Sequence, residues 1–173
     1  FLPGQGEIRR TAERLRERVR DPAVHVAPLY GALDPTEQDR AVAPAPPGAR
    51  KVVLATSIAE TSLTIEGVRV VVDSGLARVP RYHPANGLTR LETVRVSRAA
   101  ADQRRGRAGR TGPGVCYRLW DEAETRGLVA FASPEMLEAD LSGFALDLAA
   151  WGTRDPATLS FLDPPPPGAF AEA

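Results

Sequence analysis

At 173 residues, 43% hydrophobic and 25% charged, the chain has room for one domain with a sizeable core and the start of another, and no apolar run approaches the length that crosses a bilayer, so a cytoplasmic protein with no membrane partner is expected. The formal net charge of zero hides a division: residues 1–118 carry 20 basic and 12 acidic side chains and residues 119–173 carry 2 and 10, or +8 against −8, which points to an anion-facing surface on the first part, with a solvated mixed-charge surface as the alternative. One cysteine, Cys116, and two histidines, His25 and His83, exclude an internal disulfide and a structural zinc site.

The chain starts at Phe1 with no charged and apolar leader, and this start is expected to be a cut in a longer polypeptide. After the turn Phe1-Leu2-Pro3-Gly4, residues 7–20 have Ile8, Ala12, Leu15 and Val19 at helical spacing, and Asp21-Pro22 stops the helix. Residues 24–30 alternate weakly as a strand. Residues 34–42 predict a short helix with Asp34 as N-cap and Pro35 in the first position, followed by a proline-rich linker over 44–48. The apolar runs 51–55 and 68–72 predict buried strands, joined by a Thr- and Ser-rich segment expected to be helical. Such alternation is that of a parallel sheet covered on both faces, so the fold class is α/β with a mainly parallel sheet flanked by helices.

Two strand-like runs between Val79 and Val96 flank Asn86-Gly87, a strong hairpin signal. A helix is expected over 99–108, a break at Thr111-Gly112-Pro113-Gly114, and a strand over 115–120 that buries Cys116. Beyond Pro134, the stripe Met136, Leu137, Leu141, Phe144, Ala145 and Leu148 predicts a helix up to Gly152, ahead of the proline tract 164–167. A domain boundary is therefore placed near Ser133, with 1–132 as one domain and 133–173 as a short helical extension that enters a further module.

The most informative stretch is Gln103-Arg104-Arg105-Gly106-Arg107-Ala108-Gly109-Arg110. In a helix, Gln103, Arg107 and Arg110 share one face, four and three residues apart. Gly106 and Gly109 each weaken a helix by about 1 kcal/mol relative to alanine, which calls for a close approach by a ligand or by packed backbone. Two guanidiniums can neutralise charge on phosphoryl oxygens in a transition state, and a glutamine amide can orient the attacking water. Pairing with acids or solvent exposure is the ordinary role of isolated arginines. A second stretch, Ala55-Thr56-Ser57-Ile58-Ala59-Glu60-Thr61-Ser62-Leu63-Thr64-Ile65, follows a strand with hydroxyls that can donate to phosphates without reading bases; helix capping is the ordinary role of any one of them.

Taken together, the first octet resembles motif VI of the DEAH-box helicases, Q-R-x-G-R-A-G-R, with Arg105 at the variable position. The second resembles their motif V, with Ser57 where asparagine is usual. In the same order, residues 1–8 resemble motif IV, Leu29-Tyr30-Gly31-Ala32-Leu33 through Gln38-Asp39-Arg40 the segment after it, and Val71-Val72-Asp73-Ser74-Gly75 the strand end before a hook-shaped turn. Residues 78–82 and 88–93 look most like the bacterial HrpB-type branch, and residues 134–152 and 163–166 resemble the entry into its winged-helix and ratchet region.

This resemblance implies a RecA-like domain, the second of two in an ATP-driven motor that moves on single-stranded RNA or DNA. It implies nucleotide contacts from Gln103, Arg107 and Arg110, a ribose contact from Glu66, and nucleic-acid backbone contacts from Gly4, Thr56, Ser57 and Thr61. Val42 stands where an aromatic often stacks on adenine, which leaves apolar packing there. Neither a G-x-x-x-x-G-K-[ST] loop nor D-E-A-H is present in these 173 residues, so the phosphates of ATP and its Mg2+ are expected on a first RecA-like domain, and this piece alone is expected not to hydrolyse ATP. Two alternatives are a nucleic-acid-binding module without ATP linkage and an unrelated nucleotide-binding α/β enzyme, whose phosphate loop would have to be the glycine-dense residues 106–114.

Overall fold

A computed structural model describes residues 1–61 and 63–173; Ser62 of the hydroxyl-rich stretch lies outside the described residues. The chain forms two compact units, Phe1–Arg78 with Thr93–Ala132, and Val79–Glu92 with Ser133–Ala173.

The first unit is an α/β assembly. Helix α1, Gln5–Arg18, presents Ile8 and Ala12 inward and its arginines outward. Strand β1, Val24–Leu29, runs parallel to β2, Arg50–Ala55, from Val24 opposite Arg50 to Leu29 opposite Ala55. Between them lies α2, Pro35–Val42, with the Asp34 carboxylate accepting from Thr36 N and Pro35 opening the first turn. Successive residues of the strand pair feed opposite faces, as a sheet covered on both sides requires. Tyr30 and Leu54 pack with Ile8 and Ala12 of α1, whereas Leu29 and Ala55 pack with Ala41 of α2 and with Ala59. Lys51 donates from Nζ to the carbonyls of Ala41 and Ala43, closing the C-terminal end of α2, and burial pulls its pKa below the usual lysine value.

A second parallel pair joins β3, Val70–Asp73, to β6, Val115–Arg118. The opening residues stand between the carboxyl ends of β2 and β3: Leu2 N donates to Ala55 O at 2.8 Å, and Ser74 N donates to Phe1 O at 3.2 Å. Strand β4, Leu76–His83, pairs with β5, Leu88–Arg95, through the Asn86-Gly87 turn, where Gly87 has φ of 63°. Helix α3, Arg98–Gly106, is capped by the Ser97 hydroxyl accepting from Ala100 N, and α4, Glu122–Gly127, follows β6 with a capping box between Asp121 and Glu124.

Three expectations from the sequence change. Among the described residues the Thr- and Ser-rich segment forms one 3₁₀ turn, Ser57–Ala59, and beyond it the carbonyls of Glu60 and Leu63 accept from the Arg107 side chain rather than from helical N–H groups. Helix α3 ends at Gly106 rather than 108: Arg107, Ala108 and Gly109 bond three residues back, the tightening common in the last turn of a helix. The stripe after Pro134 is divided into a 3₁₀ turn, Glu135–Leu137, and helix α5, Ser142–Trp151, because the Asp140 carboxylate accepts from both the N–H and the hydroxyl of Ser142 and starts the second helix afresh.

In the second unit, α5 ends at Gly152 with φ of 100°, where left-handed backbone suits glycine. Phe144 meets Phe161 and Phe170 edge to face at 5.5 and 6.0 Å, the latter on α6, Pro167–Glu172. On the hairpin, Glu92 pairs with Arg81 and His83. Among the described residues no helix is long and apolar enough to cross a membrane.

Gly75 has φ of 72°, and a Cβ there would lie 2.8 Å from the Trp120 ring; Gly48 has φ of 79° and nothing within 4 Å. Gly48→Ala is expected to cost the left-handed backbone term alone, about 1–2 kcal/mol, whereas Gly75→Ala adds an overpacking cost of about 1–3 kcal/mol. Urea unfolding of the two variants measures the difference; equal losses would show that Trp120 yields freely.

Candidate nucleotide and nucleic-acid site

The carboxyl ends of parallel strands are where open α/β sheets place their ligands, and both motif-like stretches converge there. Residues 56–65 leave β2, residues 74–75 leave β3, and α3 with its terminal turn lies beside them. Arg107 is half-buried. Its Nε and Nη2 donate to Glu60 O, the former at 2.8 Å, and its Nη1 donates to Leu63 O at 2.8 Å. Arg110 is exposed and donates from Nη1 to Thr64 Oγ1 at 2.5 Å. Among the described residues neither guanidinium has a carboxylate within ion-pair distance.

Arg107, Arg110 and Glu66 line a cleft of about 370 Å³ that also takes in Thr64, Gly67 and Thr111. Burial, and then the charge of Arg110, lower the pKa of Arg107 from its ordinary value, with Glu60 acting in the opposite direction. Two guanidiniums with only neutral hydrogen-bond partners outweigh the single Glu66 carboxylate on this cleft, and an anion would relieve their mutual repulsion. The arrangement is suited to a polyphosphate.

Gln103 is exposed and does not line this cleft. The shared-face spacing with Arg107 and Arg110 assumes a continuous helix, and α3 stops at Gly106. Nor does packing within the domain account for Gly106 and Gly109, since a Cβ on either would meet nothing within 4 Å. Of the nucleic-acid candidates, Ser57 and Thr61 are exposed and Thr56 half-buried, together on the loop that leaves β2. Gly4 is the N-cap of α1 and is buried: a Cβ there would lie 2.8 Å from the Arg78 guanidinium. Val42 packs with the cluster around Leu29 and Ala41.

Two residues of the site escape a reading of the sequence. Arg78 covers Gly4 and pairs with Glu7 at 3.5 Å. Arg104, between Gln103 and Arg107, has 0% exposure. Its Nη1 reaches Asp73 Oδ1 at 2.8 Å and Leu76 O at 3.1 Å, and its Nε donates to Glu60 Oε1 at 2.7 Å. The Phe1 ring lies against its guanidinium at 5.0 Å. Asp73, also at 0%, accepts in addition from Gly75 N at 2.9 Å. The available signal was an acid, Asp73, closing an apolar strand, since a buried carboxylate demands a cation. Burial, and then the charge of Asp73, raise the pKa of the nearby Cys116 thiol.

Residues 3–112 match the helicase conserved C-terminal domain. The chain belongs to this family. It is 52% identical over 96% of its length to the ATP-dependent RNA helicase HrpB of Escherichia coli K12, covering 20% of that protein. It is 45% identical over 96% of its length to the pre-mRNA-splicing factor ATP-dependent RNA helicase prp22 of Schizosaccharomyces pombe, covering 15% of it. Two crystal structures of E. coli HrpB, one described as a DExH-box NTPase and one as a DEAH/RHA helicase, superpose with TM-scores of 0.86 and 0.90 at 51% identity, over 99% of this chain and 22% of theirs. The domain is thus the second RecA-like, helicase C-terminal domain of the DEAH-box, HrpB-type kind, with the expected α/β fold. It spans about a fifth or less of the length of these relatives.

Removing the buried guanidinium strands Asp73 in the interior. Arg104→Ala is expected to destabilise the domain by about 3–5 kcal/mol, the usual cost of breaking a buried ion pair from one side. Chemical denaturation measures it, and a loss below about 1 kcal/mol would mean that water already solvates the pair.

Proposed function

We propose that this domain is the second motor domain of an ATP-dependent nucleic-acid helicase, forming one wall of an ATP site whose other wall is the first RecA-like domain of the same polypeptide. The observation that supports this most directly is the cleft itself: Arg107 and Arg110, which among the described residues bond to carbonyls and a hydroxyl rather than to carboxylates, beside Glu66. In this reading Arg107 and Arg110 neutralise charge on the phosphoryl oxygens, Gln103 orients the attacking water as the two domains close, and Glu66 meets the ribose. The Mg2+ that accompanies ATP is assigned to the first domain together with the phosphate loop, since neither G-x-x-x-x-G-K-[ST] nor D-E-A-H occurs in these 173 residues.

Thr56, Ser57 and Thr61, on the loop that leaves β2, grip the backbone of single-stranded RNA or DNA, and Gly4 at the N-terminal end of α1 joins them when the Arg78 side chain that covers it moves aside. Hydroxyls and helix N–H groups suit phosphates and carry no base sequence, as a motor stepping along any strand needs. Closing and opening of two such grips, driven by the ATP cycle, converts to stepping. Residues 1–132 are then the motor domain, residues 133–173 the entry into the winged-helix and ratchet region, the Asn86-Gly87 hairpin a strand guide, and the cytoplasm the place of work.

In the full-length enzyme, Arg107→Ala and Arg110→Ala should each lower strand-stimulated ATP turnover by a factor on the order of 10³ or more, as for arginine fingers. Near-parental turnover in variants with parental melting temperatures would refute the assignment and favour a nucleic-acid-binding module, whose strand affinity is indifferent to nucleotide. The 173-residue domain alone is expected to show no ATP turnover in a phosphate-release assay, and turnover that survives further purification would contradict this.

A further inference from the structure

Glu60 is held by two arginines at once. Its carboxylate accepts from Arg104 Nε at 2.7 Å and lies 2.6 Å from Arg104 Nη2, and its carbonyl accepts from Arg107 Nε at 2.8 Å. The first arginine is buried with no exposure and bonded to Asp73 and to Leu76 O. The second faces the cleft with Arg110. Glu60 itself follows the 3₁₀ turn Ser57–Ala59, its N–H donating to Ser57 O at 2.9 Å, and precedes Thr61. One residue therefore joins the strand-facing loop, the interior and the nucleotide-facing arginine.

We propose that Glu60 is a positioning residue that couples the nucleic-acid grip to Arg107, with Arg104 as its fixed anchor. This rests on the assignment of residues 56–61 to the strand and of Arg107 to nucleotide. Three of the five N–H groups of Arg107 are spent on carbonyls of this loop, so its fork takes its direction from the loop. A strand phosphate that draws on Ser57 or Thr61 turns the peptide at Glu60 and with it the Arg107 guanidinium. The carboxylate on Arg104 limits that motion to a pivot about a fixed point. A loop without the tether would bind the strand and leave Arg107 unchanged.

The test is Glu60→Gln in the full-length enzyme, which keeps size and shape and removes the charge that clasps Arg104. The readout is the ratio of ATP turnover with and without a single strand, using poly(U) or oligo(dT), whichever stimulates the parent. A loss confined to folding or to basal catalysis leaves this ratio unchanged. Coupling between sites typically amounts to about 5–150-fold, and the ratio is expected to fall about tenfold, with strand affinity changed by less than threefold. A ratio equal to the parent's overturns the inference. Should Glu60→Gln not melt cooperatively, Arg104→Lys is read in the same way, because a lysine point charge can satisfy Asp73 but cannot fork to both carboxylates; an unchanged ratio there overturns it equally. Arg110→Ala is assayed beside them. Normal turnover in Arg110→Ala refutes the assignment of the nucleotide wall, whereas loss of turnover there with an unchanged ratio in Glu60→Gln refutes only the coupling.

Discussion

A full positive charge in a protein interior is among the most expensive groups a fold can bury, and Arg104 is buried completely. It is tolerable because the surroundings supply two carboxylates, a carbonyl and an aromatic face: Asp73 from the end of β3, Glu60 from the loop after β2, Leu76 O from the start of β4 and the ring of Phe1. Each of these comes from a different segment. The segments are consequently obliged to meet at one place, and α3 has to present its inner face there. A buried ion pair adds little net stability relative to apolar packing, yet its geometry is demanding, and that demand fixes where the loop and the helix lie.

From this arrangement the division of labour among the arginines follows. Helix α3 turns Arg104 inward, and the tighter turn from Arg107 to Gly109 redirects the chain so that Arg107 and Arg110 emerge on the cleft. Gly106 and Gly109 leave open space beside that turn. Lys51, by contrast, is spent on the carbonyls at the end of α2. The positive charge of the first part of the chain remains spread over exposed arginines such as those of α1, and Arg107 and Arg110 differ from them in lining the cleft and bonding to neutral partners.

Much of the fold was legible because the relevant signals are local. Asp34-Pro35 caps and opens α2, Asn86-Gly87 turns the hairpin, and the apolar runs around Val53 and Val71 become parallel strands. The residue types after β2 allow a helix, and the bonds of Glu60 to Arg104 and Arg107, from residues 44 and 47 positions away, are of a kind that periodicity does not register. The break before α5 depends on one Asx turn at Asp140, a competition that periodicity alone does not register.

By itself the sequence determined the order of motifs, the α/β alternation and the identity of the family, because those reside in residue types at fixed spacing. Tertiary structure decided which arginines face the cleft and which is buried, that Gln103 stands apart from Arg107 and Arg110, and that Arg78 covers Gly4. The physical reason is the same in each case. An arginine is defined in function by the partners that its guanidinium reaches, and those partners, 44 residues away for Glu60 and 31 for Asp73, are set by the packing of the whole domain.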